Sequence, residues 1–202
     1  QHKKIDRENF KDTQPEDIII ECYDRFEPVA IQKNLDLIAS LPDDPLPLCY
    51  MDKDRILQCI SILVDNAISA QQTVMSPAVS MQNKRLCYTV ADTGPGISDE
   101  DKPHIFETFY SKRNNHKTHF GLGLSIAKSI ADLHSAELTV SDNSPQGSVF
   151  SLTWNYSLPP YTGKPPLLQA FDMLEMLQKF HIFCADLKIN LALLSICAGF
   201  AV

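Results

Sequence analysis

No run of 18 apolar residues occurs in this 202-residue chain, so no ordinary transmembrane helix is expected. The nearest approach, Ile189 to Val202, is too short and begins just after Asp186 and Lys188. Six cysteines are present (Cys22, Cys49, Cys59, Cys87, Cys184 and Cys197), but no C-x-x-C pair. That spacing argues against disulfides and zinc and predicts buried free thiols in a reducing compartment. No histidine pair has the H-E-x-x-H spacing: His104, His116 and His119 share one polar region, and His134 is expected to cap the end of a helix. An excess of basic charge is also missing. The net charge of −7 and pI near 5.3 argue against a nucleic-acid-binding face and predict no nucleic-acid partner. There is no internal repeat, no Walker loop, no signal peptide and no initiator methionine, so the chain reads as a fragment of a longer protein.

What is present is a regular succession of elements. Residues 1–14 mix acids and bases with no apolar face and read as a linker or the end of a preceding element. Pro15-Glu16-Asp17 opens a helix to about Asn34. Leu35 to Leu41 alternates like a half-buried strand, and Leu48 to Met51 reads as a short one. Asp52 is placed to cap a helix whose apolar positions Ile56, Cys59, Ile60, Leu63, Ala67 and Ala70 follow helical spacing. Strands are expected at 76–81, Leu86–Val90, Glu137–Ser141 and Ser148–Trp154, and a helix at Gly121–His134. Between them, residues 97–120 form a long polar connection of the kind that serves as a lid. A domain over 15–156 is then followed, over 157–202, by a proline-rich linker (Leu158 to Pro166) and a tail of unassigned role, with an amphipathic helix at Leu167–Phe180.

Three motifs carry the chemistry: Asp65-Asn66-Ala67, Asp92-Thr93-Gly94-Pro95-Gly96-Ile97 and Gly121-Leu122-Gly123-Leu124-Ser125-Ile126. The Asn66 carboxamide, on a helix, can ligate Mg2+, which takes oxygen ligands and shares them with substrate phosphates. Asp92 ends a hydrophobic strand, where a carboxylate can accept a hydrogen bond from the exocyclic amine of adenine; guanine presents a carbonyl oxygen there. Gly94 and Gly96 permit positive φ and close backbone approach. Gly121 and Gly123 open a helix whose free N–H groups can meet phosphate. Phe106 and Phe109 can dock the lid, and Lys112, Arg113 and Lys117 are candidate cations for a triphosphate. Each feature also has a plain structural reading: a surface asparagine, a turn, a close-packed glycine or a solvated charged run. Their order and spacing favour an ATP pocket with a lid.

These residues resemble the catalytic and ATP-binding domain of sensor histidine kinases, in a group that includes gyrase, the mismatch-repair ATPases and the heat-shock chaperone ATPases. Asp54 through Ala67 is similar to that family's asparagine box, Asp92–Ile97 to its first glycine box, Phe106–Tyr110 to its phenylalanine box and His119–Lys128 to its second glycine box. The resemblance implies an α/β (α+β) two-layer sandwich: a mixed, mostly antiparallel sheet with helices on one face and a long ATP lid. It implies ATP and Mg2+ as ligands, with Asn66 as metal ligand and catalytic residue and Asp92 as adenine reader. Gly94, Gly96, Ile97, Phe106, Phe109, Lys112, Arg113, Gly121, Leu122, Gly123 and Leu124 complete the implied nucleotide site.

Some positions depart from the family pattern. Hydrolytic members carry a glutamate four residues before the box asparagine; here that position is Ile62, which cannot act as a base. This favours phosphoryl transfer to a protein histidine, where catalysis by this domain is positioning and charge neutralisation. Many histidine kinases carry a second asparagine at the Ile62 position and a lysine where Ser69 stands, and His119 replaces the first glycine of the second box. His2, followed by Lys3-Lys4, does not match a phosphoacceptor. The chain alone is therefore expected to bind ATP without autophosphorylating. Its expected partners are a dimerising phosphoacceptor domain of the same full-length protein, which makes the homodimer, and a response regulator. The expected location is cytoplasmic, with the full-length protein attached to the membrane. The alternatives are a degenerate nucleotide-sensing or scaffolding module and, ranked lower, a serine kinase acting on an anti-sigma-factor antagonist.

Overall fold

A computed structural model describes residues 8–69, 74–110 and 121–155. Ala70, Lys112, Arg113, Lys117, His116, His119, Cys184, Cys197 and the segments expected as a linker and a helix after Leu158 lie outside the described residues. The described part has the expected architecture, with a mixed, mostly antiparallel sheet and packed helices.

Helix α1 (Pro15–Lys33) starts at proline with Glu16 and Asp17 in its first turn, and ends through Asn34 in the left-handed region at φ 53°. Glu16 accepts the Leu46 N–H at 2.6 Å and the Gln14 amide at 2.7 Å, tying the following loop to the helix start. Helix α2 (Lys53–Ser69) begins as expected, with Asp52 Oδ1 accepting the Arg55 N–H at 3.1 Å. Its buried stripe, including Ile56, Ile60, Leu63 and Ala67, faces the core. Helix α3 runs Gly123–Leu133, two residues later than the expected start at Gly121. His134 ends it as expected: the ring Nδ1 donates to the Ile130 carbonyl at 2.9 Å. Nε2 also accepts the Asp52 N–H at 3.1 Å, a link between two helix ends that requires an unprotonated Nε2.

The strands are β1 (Lys11–Thr13), β2 (Asp36–Leu37), β3 (Cys49–Met51), β4 (Val74–Gln82), β5 (Arg85–Asp92), β6 (Glu137–Asp142) and β7 (Ser148–Asn155). The main sheet has the order β2-β4-β5-β7-β6, with only β2 and β4 parallel. Asn83 and Lys84, both at positive φ, make the two-residue loop joining β4 to β5, and β4 is slightly longer than the expected 76–81 at both ends. The buried residues Leu86, Tyr88 and Val90 alternate along β5 and face Trp154, Leu152 and Phe150 on β7. Tyr88 donates its hydroxyl to the Pro15 carbonyl at 2.9 Å, which pins α1 to the sheet.

Two expectations need correction. The strand expected over Leu35–Leu41 is only two residues long, with a further bridge between Ser40 and Ala78. The cause is Pro77 on the facing strand, which has no N–H for the Ile38 carbonyl; the Ser76 hydroxyl donates to it instead, at 3.1 Å. Lys11–Thr13, within the segment read as having no element, forms β1 and pairs antiparallel with β3. Only Thr13 of the three is buried, so the pairing rests on backbone bonds and leaves no apolar pattern.

Cys22, Cys49 and Cys59 are buried free thiols, and burial pushes Cys22 up to about 11 and Cys49 and Cys59 up to about 12. Among the described residues, no helix is long and apolar enough to cross a membrane.

Two outcomes are expected in urea unfolding. Leu63→Ala, which empties a fully buried site, costs about 2–5 kcal/mol, whereas Tyr88→Phe, which removes one hydrogen bond, costs about 1 kcal/mol. Stability is also expected to fall as pH rises above 9. The ordinary thiol value is 9.0 and Cys59 in the folded chain stands at about 12, so between these values the unfolded chain releases a proton that the folded chain keeps.

Candidate functional site

Register determines where Asp92 sits. Counting in twos from Leu86 puts Asp92 on the inner face of β5, opposite Met75, at the strand's end. Asp92 is 6% exposed. A buried carboxylate needs donors, and Oδ1 receives two: the Gly94 N–H at 2.9 Å and the Ser148 N–H at 3.1 Å. Both hydrogen bonds recorded for this carboxylate use Oδ1, which leaves Oδ2 as the oxygen able to meet a ligand donor.

The turn between β6 and β7 packs directly on this residue. Gly147, at φ +122°, lies so close that a Cβ there would stand 1.9 Å from the Asp92 carbonyl oxygen. Gly96, at φ +77°, rests on Gly147 in turn, with a Cβ position 3.3 Å from the Gly147 carbonyl oxygen. Of the two glycines in the Asp92 motif only Gly96 uses positive φ; Gly94 is buried and contributes its N–H. Ile97 is half-buried against the core. Gly147, Asn143 and Ser148 were not among the expected site residues. The one signal for them was a turn-rich segment whose last glycine directly precedes a strand.

The base of the lid follows. Lys102 bridges Asp99 at 2.6 Å and Asp142 at 2.8 Å. These hydrogen bonds, to Asp142 first and then Asp99, raise the Lys102 pKa, and the same lysine lowers that of Asp99. Tyr110 donates to Asp101 at 2.5 Å. Phe106 packs edge-on against Phe150, with ring centres 6.4 Å apart, so it anchors this segment to the sheet. Phe109 does not: it is 72% exposed and sits at φ 67°, an uncommon conformation for a bulky residue.

Gly121 closes the base. Its carbonyl accepts the Phe109 N–H at 3.1 Å, and its φ is +67°, with a Cβ position only 2.9 Å from the Tyr110 carbonyl oxygen. Gly121 thus joins the Phe109–Tyr110 segment to the approach to α3. The start of α3 falls to Leu122, Gly123 and Leu124, where the first N–H groups have no carbonyl one turn back within the helix. Gly123 faces α2: its Cβ position is 3.3 Å from Ile62 Cγ2. Asn66 is one turn beyond Ile62 on the same face of α2 and is half-buried. The fold therefore brings the asparagine helix to the start of α3, and the Asp92 loop to the β6–β7 turn.

A carboxylate at a strand end, close-packed glycines and a helix start are the features expected of the three motifs from the sequence. The family model for histidine kinase-, DNA gyrase B-, and HSP90-like ATPases matches residues 51–158. The chain belongs to this family. Among curated relatives, the sensor histidine kinase YkoH of Bacillus subtilis (strain 168) is 40% identical over 111 residues, covering 54% of this chain and 24% of that protein. The chain thus spans about a quarter of that relative's length. The catalytic domain of histidine kinase ThkA, in a nucleotide-free form, superposes with a TM-score of 0.65 at 27% identity, covering 73% of this chain and 95% of that one. ThkA in complex with the response regulator protein TrrA superposes with a TM-score of 0.62 at 26% identity, covering 73% of this chain and 42% of that one.

The glycine packing sets a clear expectation for this family member. Gly147→Ala forces the turn off Asp92 and lowers stability by more than about 2 kcal/mol, read as a drop in the urea midpoint. An unchanged midpoint would show that the turn moves freely.

Proposed function

We propose that this chain is the ATP-binding catalytic domain of a two-component sensor histidine kinase, which transfers the γ-phosphate of ATP to a histidine on a separate dimerisation domain. The observation that carries this reading is the Asp92 carboxylate, buried at a strand end with Oδ1 held by two backbone amides. Oδ2 then accepts from the exocyclic amine of adenine, a donor that guanine lacks at that place. The relatives' character as sensor histidine kinases supports the same reading.

The remaining roles follow from chemistry. The N–H groups at the start of α3 receive phosphate oxygens, and Lys112 and Arg113 add positive charge to the triphosphate. The Asn66 carboxamide oxygen holds Mg2+, which when bound neutralises phosphate charge. Ile62 offers no base to activate water, so the γ-phosphate is kept for a protein nucleophile. That nucleophile is a histidine on a helical hairpin of the full-length protein, which also makes the homodimer. A response regulator then takes the phosphoryl group, a partner of the kind seen with ThkA. The domain works on the cytoplasmic side, with the full-length protein attached to the membrane.

Calorimetry of ATP binding with and without Mg2+ tests this reading. Wild-type protein is expected to bind ATP with Mg2+ dependence. Asp92→Ala loses roughly tenfold or more in affinity, as befits a hydrogen bond to a charged group, and Asn66→Ala loses the metal dependence. Supplying the helical hairpin in trans with ATP is expected to give acid-labile phosphohistidine. A folded wild type that binds no ATP at millimolar concentration would sink the kinase reading and favour a scaffold.

A further inference from the structure

We propose that Asn143 is a positioning residue that sets adenine selectivity through Asp92; the inference rests on the nucleotide reading above. Asn143 Nδ2 donates to the Asp92 backbone carbonyl at 2.8 Å, linking residues far apart in the chain. The Asn143 N–H donates to the Gly147 carbonyl at 3.0 Å and closes the β6–β7 turn on itself. Its Oδ1 accepts the Ser144 N–H at 2.9 Å, so both ends of the carboxamide are engaged and its orientation is determined. On the other side of the turn, Asp142 is held by Lys102 at 2.8 Å.

These contacts make the turn a strap across the Asp92 peptide. Gly147 presses on the Asp92 carbonyl, and the Ser148 N–H takes Oδ1. Among the described residues, Asn143 is the side chain of this turn whose hydrogen bond ends on the Asp92 peptide. That bond holds the peptide plane, and with it the direction of the carboxylate. A reader of one exocyclic amine depends on direction, because a hydrogen bond weakens steeply as its angle departs from linear. Loss of the Asn143 donor therefore weakens the nucleotide that uses the bond to Asp92. A nucleotide that cannot use the bond is unaffected.

The experiment measures the dissociation constants of Mg-ATP and Mg-GTP for wild type, Asn143→Ala and Asn143→Leu; the leucine keeps the approximate shape, removes the donor and adds no charge. Expected is a roughly three- to tenfold rise in the ATP constant with little change for GTP, so the preference for ATP shrinks by the same factor. A variant that merely folds less completely raises both constants by the same factor and leaves their ratio as in wild type. Wild-type constants and ratio in both variants would overturn the role of Asn143, as would equal weakening for both nucleotides, which marks a general packing effect. A folded wild type that does not prefer ATP would overturn the nucleotide reading itself, and this inference with it.

Discussion

Gly147 is pressed against the Asp92 carbonyl, and the N–H of the next residue, Ser148, holds the Asp92 carboxylate. The rest of the site depends on this contact. It follows from the sheet: β5 and β7 pair with Ala91 opposite Val149, so the end of one strand and the start of the other must meet. A buried carboxylate in that corner is tolerated only with donors, and the two backbone amides supply them without a cation. An added Cβ at residue 147 cannot be accommodated, so this glycine is required for space as well as for its positive φ.

Helix α2 plays the corresponding role on the other side. Asp52, at its start, meets His134 at the end of α3, while Ile62, further along, meets Gly123 at the start of α3. Two contacts at opposite ends define an antiparallel pair. Asn66 lies one turn past Ile62 and is therefore carried to the beginning of α3, where helix N–H groups are free of intrahelical partners. A Cβ at 123 would stand 3.3 Å from Ile62 Cγ2, so that methyl would have to give by a few tenths of an ångström. The Ile62 side chain thus has a packing role at the position where hydrolytic relatives are expected to carry a base.

The base of the lid combines firm anchors with one strained residue. Phe106, Tyr110 and Gly121 tie it to the sheet, to Asp101 and to itself. Phe109 stands exposed at positive φ between them. A large apolar side chain in that state loses hydrophobic burial and carries backbone strain, a pairing that marks residues whose surroundings over-determine them.

The sequence by itself determined the elements with strong local signals. Pro15-Glu16-Asp17 started α1, Asp52 capped α2, and alternation placed Leu86, Tyr88 and Val90 inside. It also determined the family, because the Asp92 and Gly121 motifs occupy short contiguous stretches. The tertiary structure alone decided what depends on distant partners. Pro77 cut β2 short from the facing strand, and β1 formed through backbone pairing that leaves no apolar trace. Gly121 closed the lid base while α3 began at Gly123. Asn143 and Gly147 looked like ordinary turn residues until the β5–β7 register brought Asp92 against them. Local signals arise from a residue's own φ, ψ and side chain and are written in neighbouring letters, whereas a hydrogen bond or a forbidden Cβ between residues 92 and 147 exists only after the sheet has paired.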